Sequence, residues 1–342
     1  MRPVILVTGG TGFLGAHVVR ALVERGERVR VLTRGGGSMS DTVEIAELRD
    51  LGVELAQGDV VADLDAPGAL SLERALDGVD RIVHLAGFVS RAPEDGQRMM
   101  RVHVDGTRRL FEAAARAGGV KRVVLASTSG TIAVSKEAVA LDESAPYPIE
   151  LVGSWPYYLS KIYQEKLAFE LGARYALPLV VVNPSLLLGP GDTRGSSTGD
   201  VKKFLKREIP IVPSGGVSFV DARDAAEATV AALERGRPGE RYLLGGPNWT
   251  FEEFLGRLER ASKVRAPRLK VPDKMARAAT TLFQHAYEAL HKEPPVDRIS
   301  VEMSQHYWWC DSSKAERELG FAARDPGETL DDTIRDLRRR FL

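Results

Sequence analysis

Over roughly the first two thirds of the chain, apolar runs and amphipathic stretches take turns. "VILVTGG" opens as a nearly continuous apolar run, the pattern of a strand buried on both faces. "LGAHVVRALVERGE" follows, with Leu14, Val18, Leu22 and Val23 at the spacing of one helix face. The pair of patterns then recurs. "RVRVLTR" and "GVELAQGDV" read as strands two and three, with the helical "VEIAELRDL" between them. "LERALDG" is helical and "DRIVHLAG" is strand four. "HVDGTRRLFEAAARAG" predicts a long helix stopped by Gly118 and Gly119, and "VKRVVLAST" a fifth strand. "YYLSKIYQEKLAFELGARYA" predicts a helix and "LPLVVVNPS" a sixth strand. Strands without a polar face, alternating with helices, predict an α/β fold: a doubly wound parallel sheet of the Rossmann kind, covered on both faces.

The rhythm breaks after about residue 190. Gly, Pro, Ser and Thr crowd "GPGDTRGSSTGD", which reads as a loop. "VSFVDARDAAEATVAALERG" and "RYLLGG" read as a return to the sheet. From about Pro247 the pattern is mostly helical. "DKMARAATTLFQHAYEALHK" predicts one such helix, with Met275, Ala279, Leu282, Phe283, Ala286, Tyr287 and Leu290 on one face. It is expected beside the substrate cleft, its basic Lys274, Arg277 and Lys292 leaving a membrane-surface contact open.

Composition narrows the function classes. The 47 Lys and Arg balance 47 Asp and Glu, so a basic nucleic-acid footprint is missing. Cys310 is the single cysteine, which excludes an intramolecular disulfide and a cysteine-based zinc site and fits a reducing compartment. No metal site is expected. The apolar run at the start is too short for a signal peptide or a spanning helix, so the expected location is cytoplasmic.

Chemistry concentrates in three places. The first is the glycine cluster in "LVTGGTGFLG", at the first strand-to-helix turn. Helix N-termini present free amides and suit an anion, and glycines let a pyrophosphate approach the backbone. Gly9 permits the tight turn, Gly12 the close approach, and Gly15 the packing of helix on strand. The spacing is Gly-x-x-Gly-x-x-Gly, not Gly-x-Gly-x-x-Gly. The second is Tyr157 and Lys161, four apart on a predicted helix and so on one face. A nearby cation favours a phenolate, so Lys161 is expected to lower the Tyr157 pKa and fit it for proton exchange with a carbonyl or alcohol oxygen. Tyr158 also reaches Lys161, with poorer spacing. The third is "LASTSGT", where Ser127, Thr128 and Ser129 follow strand five at the ligand-facing edge of such a sheet. Cofactor choice is read at the end of strand two. An acidic residue there favours NAD; here Thr33 holds the position and Arg34 follows, a phosphate-pairing side chain that predicts NADP.

Together "TGGTGFLG", "GDV" at Gly58 to Val60, "HLAG" at His84 to Gly87, "VDGTRRLFEAA", "YYLSK", "VNPSLLLGPGD", "FVDARDAAEA" and "DSSKAERELGF" resemble the extended short-chain dehydrogenases/reductases, the NAD-dependent epimerase/dehydratase family. "VNPSLLLGP" and "RPGERYLLGG" are most similar to the branch of dihydroflavonol-reductase-like, hopanoid-associated epimerase-like and 3β-hydroxysteroid-dehydrogenase-like proteins. The resemblance implies roles. Tyr157 is the acid–base residue; Lys161 is its electrostatic partner and holds the nicotinamide ribose. Thr128 binds the substrate oxygen, with Ser129 as the alternative. Gly9, Gly12, Phe13, Leu14, Gly15, Arg34, Asp59, Val60, Ala86, Gly87 and Pro184 join Lys161 around the cofactor. Two positions depart from the pattern. His103 replaces an asparagine thought to order a water or backbone carbonyl near the lysine, and is expected to do so through a ring nitrogen or to change the relay. Asn183 stands where many sugar-nucleotide members carry arginine.

The organisation implied is a dinucleotide-binding Rossmann domain at 1–190 and 217–246, with a smaller, mostly helical substrate lobe at 191–216 and 247–342. The expected activity is NADP(H)-dependent interconversion of a ketone and a secondary alcohol on a small, apolar or polycyclic substrate. A sugar-nucleotide epimerase with tightly bound NAD and a non-catalytic dinucleotide sensor are the alternatives. The expected partner is the small-molecule substrate, with no nucleic acid; a homodimer is left open.

Overall fold

A computed structural model describes residues 3–34, 43–61, 72–271 and 298–342. The amphipathic stretch at 273–292 lies outside the described residues. Seven parallel strands form the main sheet: β1 (Val4–Thr8), β2 (Arg28–Thr33), β3 (Glu54–Gln57), β4 (Val79–His84), β5 (Arg122–Ala126), β6 (Leu179–Pro184) and β9 (Arg241–Leu244). Their spatial order is β3-β2-β1-β4-β5-β6-β9, which reverses direction between β1 and β4. Successive side chains of a strand point to opposite faces, and the sequence uses both. Ile5, Val7, Val124, Ala126, Val180 and Val182 enter one core, with α1 (Phe13–Glu24) and α9 (Ala222–Arg235). Val4, Leu6, Val123, Leu125, Leu179 and Val181 enter the other, with α5 (Gly106–Ala117) and α7 (Pro156–Arg174). This double burial is why β1, β5 and β6 read as nearly unbroken apolar runs.

Helix α5 is not isolated. It continues α4 (Gly96–Met100) through a π-helical turn at Arg101–Asp105 that carries His103, and it ends at Gly118, whose φ of +70° suits glycine.

One expected strand behaves differently. "VSFVD" does not rejoin the main sheet. The free edge of β6 is taken by β9, so β8 (Gly216–Asp221) pairs instead with β7 (Leu186–Leu188), β10 (Asn248–Thr250) and β11 (Tyr307–Trp308) in a second, four-stranded sheet. "RYLLGG" does return, as β9. The smaller core between this second sheet and α8 (Gly199–Leu205), α10 (Phe251–Ser262) and the C-terminal α13 (Pro326–Phe341) holds Phe204, Phe219, Phe254, Leu258, Leu330 and Ile334. Cys310, beside β11, is buried, and burial raises its thiol to about 11. No helix among the described residues is long and apolar enough to cross a membrane.

Candidate active site

The turn between β1 and α1 is built by contacts that only glycine tolerates. Gly9 has φ +74°, and a Cβ there would lie 2.6 Å from the Leu85 carbonyl carbon. A Cβ on Gly10 would strike Val31 of β2, and one on Gly15 would run into the Gly9 carbonyl oxygen. Gly12 is different: its Cβ would meet only that same oxygen, at 3.2 Å. No other atom lies within 4 Å of that Cβ, and Gly12 caps α1 with no side-chain hydrogen bond. Phe13 and Leu14 begin the helix. Phe13 sets its ring edge-on to His17, and Leu14 turns inward onto the core. Uncapped amides behind an open glycine fit a pyrophosphate.

The other expected cofactor positions gather along the carboxyl edge of the sheet, where a doubly wound fold binds its ligand. Thr33 ends β2, and the exposed Arg34 follows it. Asp59 accepts the Val61 amide through Oδ1 at 3.0 Å, and Val60 is buried against Gly106. The Ala86 amide donates to Thr8 Oγ1 at 3.2 Å, and Gly87 lies against the His103 ring. Pro184 ends β6, buried.

Helix α7 starts at Pro156, which presets the first helical turn. Tyr157 is therefore fixed near its N-terminus, and Lys161 falls one turn later, buried. The Lys161 ammonium donates to the Ala126 carbonyl at 2.8 Å and to Gln164 Oε1 at 2.6 Å. Burial pulls its pKa down to about 8, against a smaller upward pull from Glu165. The expected lowering of the Tyr157 pKa is not what the structure has. Burial raises it, and Tyr158 adds to the rise, while the ammonium faces Ala126 and Gln164. The Tyr157 ring lies edge-on to His103 and Tyr158, at centroid distances of 5.9 and 5.1 Å. Tyr158 turns the other way, onto Trp308 of β11 at 4.9 Å and over Gly130, whose missing Cβ makes room for the ring.

Thr128 caps the short turn Ser129–Thr131. It is the one residue between Ser127 and Thr131 that is not buried; Ser129 is buried. Asn183 fixes this segment from β6: its Nδ2 shares two protons among the Thr128 carbonyl at 3.1 Å, Thr131 Oγ1 at 3.0 Å and Glu165 Oε1 at 2.7 Å. Ser127 Oγ, Asn183 Oδ1 and Ser185 Oγ are buried here without a protein partner. Buried polar atoms need partners, so this edge of β5 and β6 is shaped to receive a polar group.

His103 uses both ring nitrogens. Its Nε2 accepts the Phe88 amide at 3.1 Å, and its Nδ1 lies 2.8 Å from Ser160 Oγ, which donates to the Tyr157 carbonyl. It thus clamps the segment after β4 to the first turn of α7. Gln164, Thr107 and His84 join the site without a role predicted from sequence. Thr107 shares a helix face with the buried Leu110 and Phe111, and His84 follows the buried Ile82 and Val83, so a polar residue in an apolar setting was a signal for these two. Gln164 stands between the exposed Tyr163 and the charged Glu165 and carries no such signal.

The fold defines the class, a doubly wound sheet whose glycine turn is shaped for a dinucleotide. Residues 5–245 match the NAD dependent epimerase/dehydratase family, and the chain belongs to it. It is 32% identical over 338 residues to sterol demethylase protein B of Methylococcus capsulatus, covering 98% of each chain. It is 31% identical to a Synechocystis sp. protein provisionally named a dihydroflavonol 4-reductase, covering 98% of this chain and 94% of that one. A ketoreductase of Stigmatella aurantiaca, acting on a farnesylated dihydroquinoline oxide, is 28% identical, covering 93% and 91%. Among solved structures, gox2253 superposes with TM-score 0.82 at 33% identity, covering 99% of both chains. The UDP-glucuronic acid 4-epimerase of Bacillus cereus shares the fold, with TM-score 0.74 at 20% identity over 99% and 100% of the chains. The protein is an NAD(P)-dependent enzyme of the extended short-chain dehydrogenase/reductase type.

Proposed function

We propose that the chain interconverts a ketone and a secondary alcohol with NADP(H), on a small apolar or polycyclic substrate, with Tyr157 as the acid–base group. One observation carries the reading: Lys161 is pinned to the end of β5 through Ala126, with Tyr157 one helical turn before it and Thr128 two residues beyond Ala126. A bound nicotinamide supplies or accepts the hydride at the carbonyl carbon. Tyr157 gives its proton to the substrate oxygen as that oxygen gains charge, and regains it in the reverse direction. Thr128 donates a hydrogen bond to the same oxygen. Lys161 holds the ribose hydroxyls with its remaining proton. The glycine turn at Gly9 to Gly15 holds the pyrophosphate, and Asp59, Val60, Ala86, Gly87 and Pro184 line the rest.

Three features support the finer points. Tyr158, Trp155 and Trp308 make an aromatic wall behind Tyr157, which suits an apolar substrate. Asn183 is committed to the Thr128 segment, which leaves no arginine at that position for a sugar nucleotide. Arg34 supports NADP over NAD. The test is consumption of NADPH, followed by its absorbance, with a panel of cyclic and polycyclic ketones. Consumption is expected. A nicotinamide released only on denaturation, with no net NADPH consumption and turnover of a UDP-sugar, would replace this reading by epimerisation.

A further inference from the structure

The Lys161 ammonium has three protons to donate. The Ala126 carbonyl takes one and Gln164 Oε1 takes another, at 2.6 Å. Gln164 lies three residues after Lys161, on the same side of α7. Its other end is also engaged. Nε2 donates to Thr107 Oγ1 on α5 at 2.8 Å. From there the contacts continue without a gap. Thr107 Oγ1 is 3.0 Å from His84 Nε2, and His84 Nδ1 is 2.7 Å from Thr8 Oγ1. Thr8 accepts the Ala86 amide and immediately precedes Gly9. Gln164, Thr107, His84 and Thr8 are all buried.

We propose that Gln164 is a positioning residue, holding the Lys161 ammonium with its carbonyl and tying it, through Thr107 and His84, to Thr8 at the edge of the glycine turn. The role rests on Lys161 serving the reaction proposed for this site. It explains a polar amide in the buried space between α5 and α7. An apolar side chain of the same length takes one buried partner from the ammonium and one from Thr107. A carboxylate keeps the acceptor and adds a charge, but loses the donor to Thr107.

The groups facing the ammonium make Gln164 matter. His84 on β4 and His103 on the π turn are both pushed down by burial and then by the Lys161 charge, so they are neutral near pH 7. Tyr157 on the same helix is held protonated by burial. Glu165 is the carboxylate that favours the ammonium, and it is already engaged by Thr131 and Asn183. The direct dipole on the ammonium from α7 is therefore that of Gln164.

The test reads Lys161 itself, apart from any reaction. In the full chain with 13Cε-labelled lysine, the Lys161 resonance is assigned by its loss in Lys161→Met and titrated by NMR. A midpoint near pH 8 is expected. Gln164→Glu, which keeps length and shape, should raise it by about one unit, a tenfold gain in proton affinity. Gln164→Met should lower it by a similar amount. The same variants should shift the alkaline limb of the pH–kcat profile in the same directions, with KM for the ketone changed about twofold or less. An unmoved midpoint in Gln164→Glu would show that position 164 does not act on the ammonium, since an adjacent carboxylate must raise it, and overturns the proposal. A merely structural glutamine would lower the stability of Gln164→Met and leave its midpoint in place, which also overturns it. Midpoints moved up in Gln164→Glu and down in Gln164→Met support it. Because this readout needs neither cofactor nor turnover, failure of the proposed reaction shows separately, as no NADPH consumption in the unaltered chain.

Discussion

The Lys161 ammonium and the Ala126 carbonyl are 2.8 Å apart, so the long helix α7 is bolted by a charged bond to the exit of β5. The backbone of β5 thereby sets where Lys161, and Tyr157 one turn earlier, stand along the ligand-facing edge. The same burial that makes this bond keeps the ammonium close to losing its proton, at about 8. NADPH affinity should therefore weaken as pH rises through about 8, because the group proposed to hold the ribose becomes neutral. Fluorescence titration of NADPH across that range checks this. In Lys161→Met the affinity should be lower and flat with pH.

Two buried histidines set an acid limit on stability. His84 is pulled down to about 3 and His103 well below its ordinary 6.5, burial leading in each case. Their folded values lie below the unfolded one. The stability they carry is thus full above about pH 6.5 and is lost as pH falls toward the folded values. Each should cost about 1.4 kcal/mol per pH unit below 6.5. Urea unfolding at about pH 7.5 and about pH 5.5 measures the slope. A His84→Gln, His103→Asn double variant should show a shallower fall.

Gly15 and Gly12 should separate packing from binding. A methyl at Gly15 has nowhere to go, since the obstacle is the Gly9 carbonyl of the backbone. Gly15→Ala should lower Tm and abolish measurable NADPH binding together. Gly12→Ala meets the same oxygen only at 3.2 Å. It should keep most of its stability, yet lose NADPH affinity, because its methyl projects into the open side where the pyrophosphate is expected. Differential scanning calorimetry and NADPH titration distinguish the two outcomes.

The main sheet was legible because its inner strands β1, β5 and β6 are buried on both faces, which leaves an unmistakable apolar run. The second sheet was not. "VSFVD" reads the same whichever sheet it joins, and only the occupation of the β6 edge by β9 sends it to β7. Tyr157, Lys161 and the glycines were visible as local spacings. The Gln164–Thr107–His84–Thr8 chain was not, because its members come from four elements and meet only in three dimensions. The pKa of Tyr157 was misjudged for a related reason. Spacing places a lysine near a tyrosine, but not the direction in which its ammonium turns.

Arg34 carries the cofactor preference in this reading. It follows Thr33 at the end of β2, and its side chain is exposed. A charge-assisted bond of roughly 1.5–3 kcal/mol to a 2′-phosphate corresponds to about 10- to 100-fold in affinity. Arg34→Ala should weaken NADPH by that factor and leave NADH unchanged. Equal losses for both cofactors would assign Arg34 to the shared part of the dinucleotide instead.

Tyr157 provides the sharpest test of the chemistry. Its ring sits edge-on to both His103 and Tyr158. Tyr157→Phe keeps the ring and both edge contacts, so stability and NADPH affinity should be nearly unchanged. Removal of one positioned general acid typically costs about 10²- to 10⁴-fold in rate, and that loss should appear in kcat. Tyr158→Phe is the internal control. Its ring packs on Trp308 over Gly130, and Phe preserves that packing, so the loss should be mild. Thr128→Ala should fall between the two. It removes a hydrogen bond to the substrate oxygen but leaves the proton donor, and the buried Ser129 is poorly placed to replace it. Near-normal turnover by Tyr157→Phe would end the assignment of this tyrosine as the acid–base group, whichever ketone or alcohol proves to be the substrate.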